Sequence, residues 1–326
     1  MWSKIVGHKR QIEELRRSLE SARLPNAYVF AGPAGVGKRL AADAFAAALL
    51  CPEAPSRGHD ACGECLSCRK LASGNHPDFF LLEPEESERG AVTSIKTDPV
   101  RELMQRLIFK PLEAQAKVAI IDGADRLMPQ AANSLLKTLE EPPERTHFIL
   151  VTPLPHRLLP TIRSRCRLVA FSPLGEEELA AALVRRRSME PAEATRIARL
   201  AGGSMGLALR LEPEFVAEVL GRFLPLFSRA SSSDIMEAAQ AFAAQGPERL
   251  PLVFDILMSL CRDMLRVKAT GSAGLAIHPE AEALAGRLAE SKLMRAIEGI
   301  NGARIASETA ANKQLMFEDL LFTLTS

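Results

Sequence analysis

The stretch Gly32-Pro33-Ala34-Gly35-Val36-Gly37-Lys38-Arg39 constrains this chain more than any other. It lies between an apolar run, Ala27 to Ala31, and an alanine-rich helical pattern, Leu40 to Leu50. A glycine, four residues, a glycine and a lysine between strand and helix form a phosphate loop. The glycines let backbone N–H groups curl around phosphate, and the helix N-terminus adds positive potential. Gly32, Gly35, Gly37 and Lys38 are the candidate nucleotide-binding residues, with Lys38 placed to reach the terminal phosphates. The next position should carry a hydroxyl for Mg²⁺. Here it is Arg39, which has no lone pair to offer a metal. The loop is able to hold a nucleotide such as ATP and poorly equipped to hydrolyse one.

A second feature pairs with it. Val118-Ala119-Ile120-Ile121-Asp122 reads as an apolar strand ending in a carboxylate, the arrangement that orients Mg²⁺ and its water shell beside a phosphate loop. Hydrolysis usually also needs a glutamate directly after that acid to polarise water, and the position is Gly123, with Asp125 displaced by two residues. Arg39 and Gly123 are independent departures, and each removes a catalytic group.

Further strands are predicted at Asp78 to Leu82, His147 to Thr152 and Leu168 to Phe171. Helices are predicted at Gln11 to Leu24, from Asp98 as cap with Pro99 at the first helical position, and over Ala132 to Leu139, stopped by Pro142-Pro143. Strands alternating with helices, most of them apolar throughout, imply an α/β fold with a five-stranded parallel sheet covered on both faces. After Ser172-Pro173 strand signals stop. Three short helices at Glu176 to Arg187, Ala192 to Ala201 and Met205 to Leu211 precede an all-helical remainder, broken at Ser231 to Ser233, Gly246-Pro247 and Gly271 to Gly274. The expected layout is an α/β domain over 1–172, a small three-helix lid over 173–211 and an all-α domain over 212–326.

The chain of 326 residues, 47% hydrophobic, has ample material for cores, and no run approaches a membrane span. The N-terminus reads as helix-like sequence and not as a signal peptide, so the expected location is cytoplasmic. A formal charge of +1 gives no whole-molecule case for gripping nucleic acid, so any DNA contact would be local or supplied by partners, and one Trp with one Tyr argues against a base-stacking platform.

Of six cysteines, Cys51, Cys62, Cys65 and Cys68 cluster in an insertion over 51–68. Four thiolates satisfy a tetrahedral Zn²⁺ with no open position, which marks a structural site. The count alone also permits an Fe–S cluster, while a reducing compartment disfavours disulfides. Zinc there would fold a loop that lacks an apolar core of its own. His59 and His76 are near enough to serve as ligands, though ordinary loop histidines are the plainer reading.

The phosphate loop, the four cysteines, the run Ala131-Ala132-Asn133-Ser134-Leu135-Leu136-Lys137-Thr138-Leu139-Glu140-Glu141-Pro142-Pro143, and Ser164-Arg165-Cys166 occur in one order. With them the chain resembles bacterial clamp-loader AAA+ subunits of DNA polymerase III, and among these the delta-prime type. The resemblance covers the first 210 residues and, more loosely, Ala311-Asn312-Lys313-Gln314-Leu315. It implies DNA replication: a five-subunit ring with gamma/tau and delta subunits that loads the sliding clamp onto primed DNA, its helical C-terminal domains forming a collar. It also implies a subunit with no ATPase of its own, a stator within the polymerase holoenzyme, that lends Arg165 to a neighbour's ATP site. Thr152 matches the polar sensor position at a strand end, and Gly206 stands where active relatives carry a nucleotide-sensing arginine. An active gamma/tau-type ATPase and a small-molecule P-loop kinase are the alternative readings. The cysteine insertion and the long helical C-terminal part fit the kinase badly.

Overall fold

The computed structural model describes all residues except 22–23, 86–93, 230, 272–276, 279, 308–311 and 326. The end of the charged stretch at Gly90, most of the Gly271 to Gly274 break and Ala311 therefore lie outside the described residues. The chain divides into two compact units, Met1–Ala182 with Gly202–Gly206, and Leu183–Ala201 with Leu207–Ser326.

In the first unit α1 (Lys9–Glu20) is followed by β1 (Ala27–Ala31), α2 (Lys38–Leu50), α3 (Leu66–Ala72), β2 (Phe79–Leu82) and α4 (Thr97–Leu107). Then come β3 (Lys117–Asp122), α5 (Pro129–Glu140), β4 (Thr146–Thr152), α6 (Pro160–Arg163) and β5 (Arg167–Ala170). The strands form one five-stranded sheet in the order β2-β3-β4-β1-β5, every pair parallel. All residues of β1 and β4 are buried, as the middle strands of a sheet covered on both faces must be. Side-chain alternation sorts them: Tyr28 and Phe30 pack with Phe45 of α2 on one face, while Val29 and Ala31 join Leu103 of α4 and Leu135 of α5 on the other. The register sets Ala31 opposite Thr152 and Asp122 opposite Val151. The phosphate loop, Asp122 and Thr152 thus meet at the carboxyl ends of adjacent strands, where ligands of open α/β sheets bind.

Most element boundaries agree with the sequence reading to within a residue or two. The start of α4 is a correction: its N-cap is Lys96 and Thr97 is already helical, so Asp98 is not the cap and Pro99 is the third helical residue. Ile95 forms a parallel bridge with Leu127, its N–H donating to Arg126 O at 2.9 Å and its carbonyl accepting from Met128 N at 3.0 Å. The chain turns into helix directly after that anchor. Pro99 is tolerated because the first four N–H groups of a helix have no partner within it. Helix α1 also stops earlier than expected, at Glu20.

Two buried charges brace the connection from α4 to β3. The Asp78 carboxylate accepts the N–H groups of Leu112, Glu113 and Ala114 at 2.7, 2.8 and 2.8 Å. The Lys117 ammonium donates to the carbonyls of Leu107 and Phe109. Burial lowers the Lys117 pKa, partly opposed by the Asp78 charge.

Helix α7 (Glu176–Arg187) carries Glu176, Glu177 and Glu178 in its first turn and Arg185, Arg186 and Arg187 in its last, matching the helix dipole at both ends. Beyond it α8 (Pro191–Ala201), α9 (Met205–Arg210), α10 (Pro213–Phe223), α11 (Leu226–Arg229), α12 (Ser232–Ala243), α13 (Leu250–Thr270), α14 (Glu280–Ala285), α15 (Glu290–Ser307) and α16 (Lys313–Thr325) complete the chain. The second unit has its own core, in which Phe317 of α16 stacks on Phe254 of α13 at 5.3 Å and lies 5.5 Å from Phe242 of α12. A capping box of Ser231 and Asp234 opens α12, and Asn312 Oδ1 accepts the N–H groups of Gln314 and Leu315 at the start of α16. No described helix is long and apolar enough to cross a membrane.

Candidate functional site

Gly32 has φ +151°, and a Cβ there would lie 2.1 Å from Phe171 O, so the phosphate loop can leave β1 only through glycine. Lys38 opens α2 almost fully buried, its Nζ donating to Gly32 O at 2.7 Å and Pro33 O at 2.6 Å. Burial lowers its pKa, against the opposing charges of Asp122 and Asp125. The loop is tied from two further sides. His8 Nε2 bonds Val36 O at 2.8 Å, which fixes the proton on Nε2, and Gly206 N donates to Gly35 O at 2.8 Å. Position 206 therefore rests against the phosphate loop backbone, where a Cβ would come within 3.0 Å of Gly35 Cα.

Arg39 is engaged by three carboxylates. Its Nε donates to Asp43 Oδ1 at 2.9 Å, and its Nη1 to Glu83 Oε1 at 2.5 Å and Asp122 Oδ2 at 3.2 Å. Burial works against its charge, but the hydrogen bonds and charges of Asp43 and Glu83 outweigh that and raise its pKa. Burial also raises the Asp43 pKa, despite Arg39. Gly123 has φ +70°, and a Cβ would stand 2.9 Å from Pro84 Cγ, so a glutamate here would be strained. Thr152 is fully buried; its hydroxyl donates to Asp125 Oδ1 at 2.7 Å and accepts from Leu154 N at 3.0 Å. Asp125 is thereby a partner of Thr152. The structure brings Gly32, Gly35, Gly37, Lys38, Asp122 and Thr152 to one end of the sheet. It adds Asp43, Glu83 and His8, which the sequence reading missed. Asp43 was findable, since it follows Arg39 by four positions on a helix. Glu83 and His8 carried no such signal.

The sulfur atoms of Cys51, Cys62, Cys65 and Cys68 lie within 4.8 Å of one another. Cys51 Sγ is 3.7 Å from Cys62 Sγ and 3.9 Å from Cys65 Sγ, and Cys62 Sγ is 3.9 Å from Cys68 Sγ. Tetrahedral thiolates bonded at about 2.3 Å stand about 3.8 Å apart, so the cluster can coordinate a metal ion as it is. Backbone N–H groups of Glu64 and Cys65 bring the Cys62 thiol down to about 6, whereas burial pushes those of Cys51 and Cys68 up. A bound cation is what would hold the latter two as thiolates. The insertion does have a core, though a slight one: Ala54 and Ala61 are buried with Cys51, Cys68 and Ala47 of α2. His76 accepts Asp78 N on Nδ1 at 3.1 Å, leaving Nε2–H to meet Ser67 Oγ at 2.9 Å, so both ring nitrogens are used away from the sulfurs.

Arg165 lies on the short segment between α6 and β5. Its Nη2 donates to Glu140 Oε1 at 2.6 Å and its Nη1 to Thr161 O at 2.9 Å. Its side chain is 34% exposed and that of Glu140 49%. No other site residue named above is among its bonding partners.

A parallel sheet in this order, with a phosphate loop, an acid-ended strand and a polar strand end side by side, defines an α/β AAA+-like fold with a largely helical C-terminal region. The chain belongs to the bacterial DNA polymerase III clamp-loader family: residues 7–175 match the family described as DNA polymerase III, delta subunit. It is similar to the DNA polymerase III subunit delta' of Pseudomonas aeruginosa, 38% identical over 250 residues, which cover 76% of this chain and 74% of that protein. It is also similar to subunit delta' of Escherichia coli, 32% identical over 325 residues, covering 96% and 92%. The subunit tau of Bacillus subtilis is 30% identical over 297 residues, covering 83% of this chain and 51% of that protein. Family membership sets aside the small-molecule kinase reading.

Proposed function

We propose that this chain is a delta-prime-type subunit of the clamp loader, a non-hydrolysing stator in a five-subunit ring with gamma/tau and delta subunits. In that ring it lends Arg165 to the ATP site of an adjacent subunit while the sliding clamp is loaded onto primed DNA. The division into an AAA+ domain (1–172), a lid (173–211) and a collar (212–326) belongs to the same reading. The observation that carries it is Arg39, a residue without a metal-binding lone pair, bonded to Asp122, the acid that would serve Mg²⁺. Gly123 and Gly206 support it, because the positive φ and the Pro84 ring at the one and the Gly35 backbone at the other disfavour the glutamate and the arginine of a working site. For Arg165 the supporting observation is its place on the segment between α6 and β5, paired with Glu140, a residue half open to solvent. A partly exposed ion pair of this kind contributes about 1 kcal/mol, so the guanidinium can exchange Glu140 and the Thr161 carbonyl for a phosphoryl group on a neighbour.

Gly32, Gly35, Gly37, Lys38, Asp122 and Thr152 would frame a bound nucleotide, with Lys38 exchanging its loop carbonyls for phosphate. Cys51, Cys62, Cys65 and Cys68 would hold a structural Zn²⁺, which folds the insertion and closes its own coordination shell. Purified chain should therefore contain about one zinc per chain. It should show no steady ATP turnover, with primed DNA or without it. Steady turnover abolished in Lys38→Ala would establish a gamma/tau-type ATPase instead.

A further inference from the structure

The fold implies Mg²⁺ at the phosphate loop, and the residues present do not fit it. The metal's two protein contacts in such sites are a hydroxyl after the lysine and, through water, the acid that ends the strand next but one, here β3. Here the first position is Arg39, and Asp122 is already bonded to it at 3.2 Å. The guanidinium is gripped from three elements: Asp43 on α2, Glu83 just beyond β2 and Asp122 at the end of β3. Arg39 and Asp122 are each about two-thirds covered, at 29% and 30% exposure. A cation entering among these carboxylates would meet a fixed positive charge and would have to displace it. Like charges a few ångströms apart in such a partly desolvated place repel strongly.

We infer that Arg39 replaces the divalent cation: Asp43, Glu83 and Asp122 are served by a guanidinium built into the chain, and the phosphate loop takes up no Mg²⁺. Arginine loses no proton at physiological pH, so this cation is permanent, whereas a metal comes and goes with nucleotide. The acid end of β3, the loop after β2 and the first turn of α2 are thereby cross-linked whatever the nucleotide state. That is a physical basis for a rigid subunit. The inference rests on reading residues 32–39 as a phosphate loop and is independent of any role for Arg165.

The test is thermal unfolding of the full zinc-loaded chain, with Mg²⁺ titrated against NaCl at matched ionic strength, with and without ADP. Chelators are left out because they would strip the cysteine site. The wild-type midpoint is expected not to move with Mg²⁺, and any effect of ADP to be the same with the ion as without it. Arg39→Thr removes the cation and supplies the missing hydroxyl. It is expected to melt lower without Mg²⁺ and to rise saturably with the ion by roughly 2–4 °C. A saturable Mg²⁺ response of the wild type overturns the inference, as does a folded Arg39→Thr with none. Should that variant not fold, Mn²⁺ binding to the wild type by electron paramagnetic resonance decides: no bound ion is expected, and one ion displaced by Mg²⁺ overturns the inference.

Discussion

His147 of β4 is buried, and its Nδ1 donates to Pro25 O at 3.1 Å, so its neutral form carries the proton on Nδ1. Burial lowers its pKa, outweighing the help that this hydrogen bond gives the charged form. Between that lowered value and the unfolded value of about 6.5, the unfolded chain binds a proton that the folded chain does not. Stability therefore rises with pH through this window and is lost as pH falls. His147→Gln should lose less of its melting temperature between neutral and mildly acidic buffer than the wild type; equal losses would contradict this. Gly123 carries a second prediction at the same scale. Because its φ is +70° and Pro84 crowds any Cβ, Gly123→Glu should cost about 1–3 kcal/mol in denaturant unfolding and confer no ATP turnover. A stable, hydrolysing variant would refute that account of the position.

At the scale of elements, the metal proposed for the cysteine insertion is expected to hold it together, because the residues buried there are only alanine and cysteine. Trp2, the single tryptophan, is buried, with its indole N–H donating to His59 O at 2.8 Å. Removing the metal should release that bond and shift the tryptophan emission to the red, and restoring zinc should reverse it. An unchanged spectrum in metal-free chain would show that the insertion folds without the ion. Helix α5 offers a core test. Leu135 is fully buried against the sheet, so Leu135→Ala should destabilise by about 2–5 kcal/mol. Apolar strands such as Ile120-Ile121 were legible as short continuous apolar runs and α2 as a longer alanine-rich one, because length and flanking residues separate a strand buried on both faces from a helix. The phosphate loop was legible because its glycines answer backbone demands. What could not be read depends on contacts between distant residues. Ile95 bridging Leu127 moved the start of α4, Asp78 and Lys117 hold different parts of one loop, and Glu83 reaches Arg39 across 44 positions. Of the site, Lys38, Asp122, Thr152 and the four cysteines could be named in advance. That Arg39 occupies Asp122 could not, because sequence spacing says nothing of where a long side chain ends.

At the scale of the whole molecule, the formal charge of +1 gives no whole-molecule electrostatic grip on DNA, so any contact would be local or supplied by partners. The isolated chain should bind primed DNA negligibly at physiological salt, with contact to DNA arising only through the assembled loader; tight binding by the chain alone would contradict this. The chemistry proposed for it is likewise exerted elsewhere, by an arginine whose own ion pair is weak. Lys38 and Arg165 make that separable. In a loader reconstituted from gamma/tau, delta and this subunit, clamp loading onto primed DNA can be compared for the wild type, Lys38→Ala and Arg165→Ala. Arg165→Ala should lower loading at least about tenfold, while Lys38→Ala leaves it near the wild-type rate. Normal loading by Arg165→Ala would contradict the claim that this subunit works by lending an arginine to its neighbour.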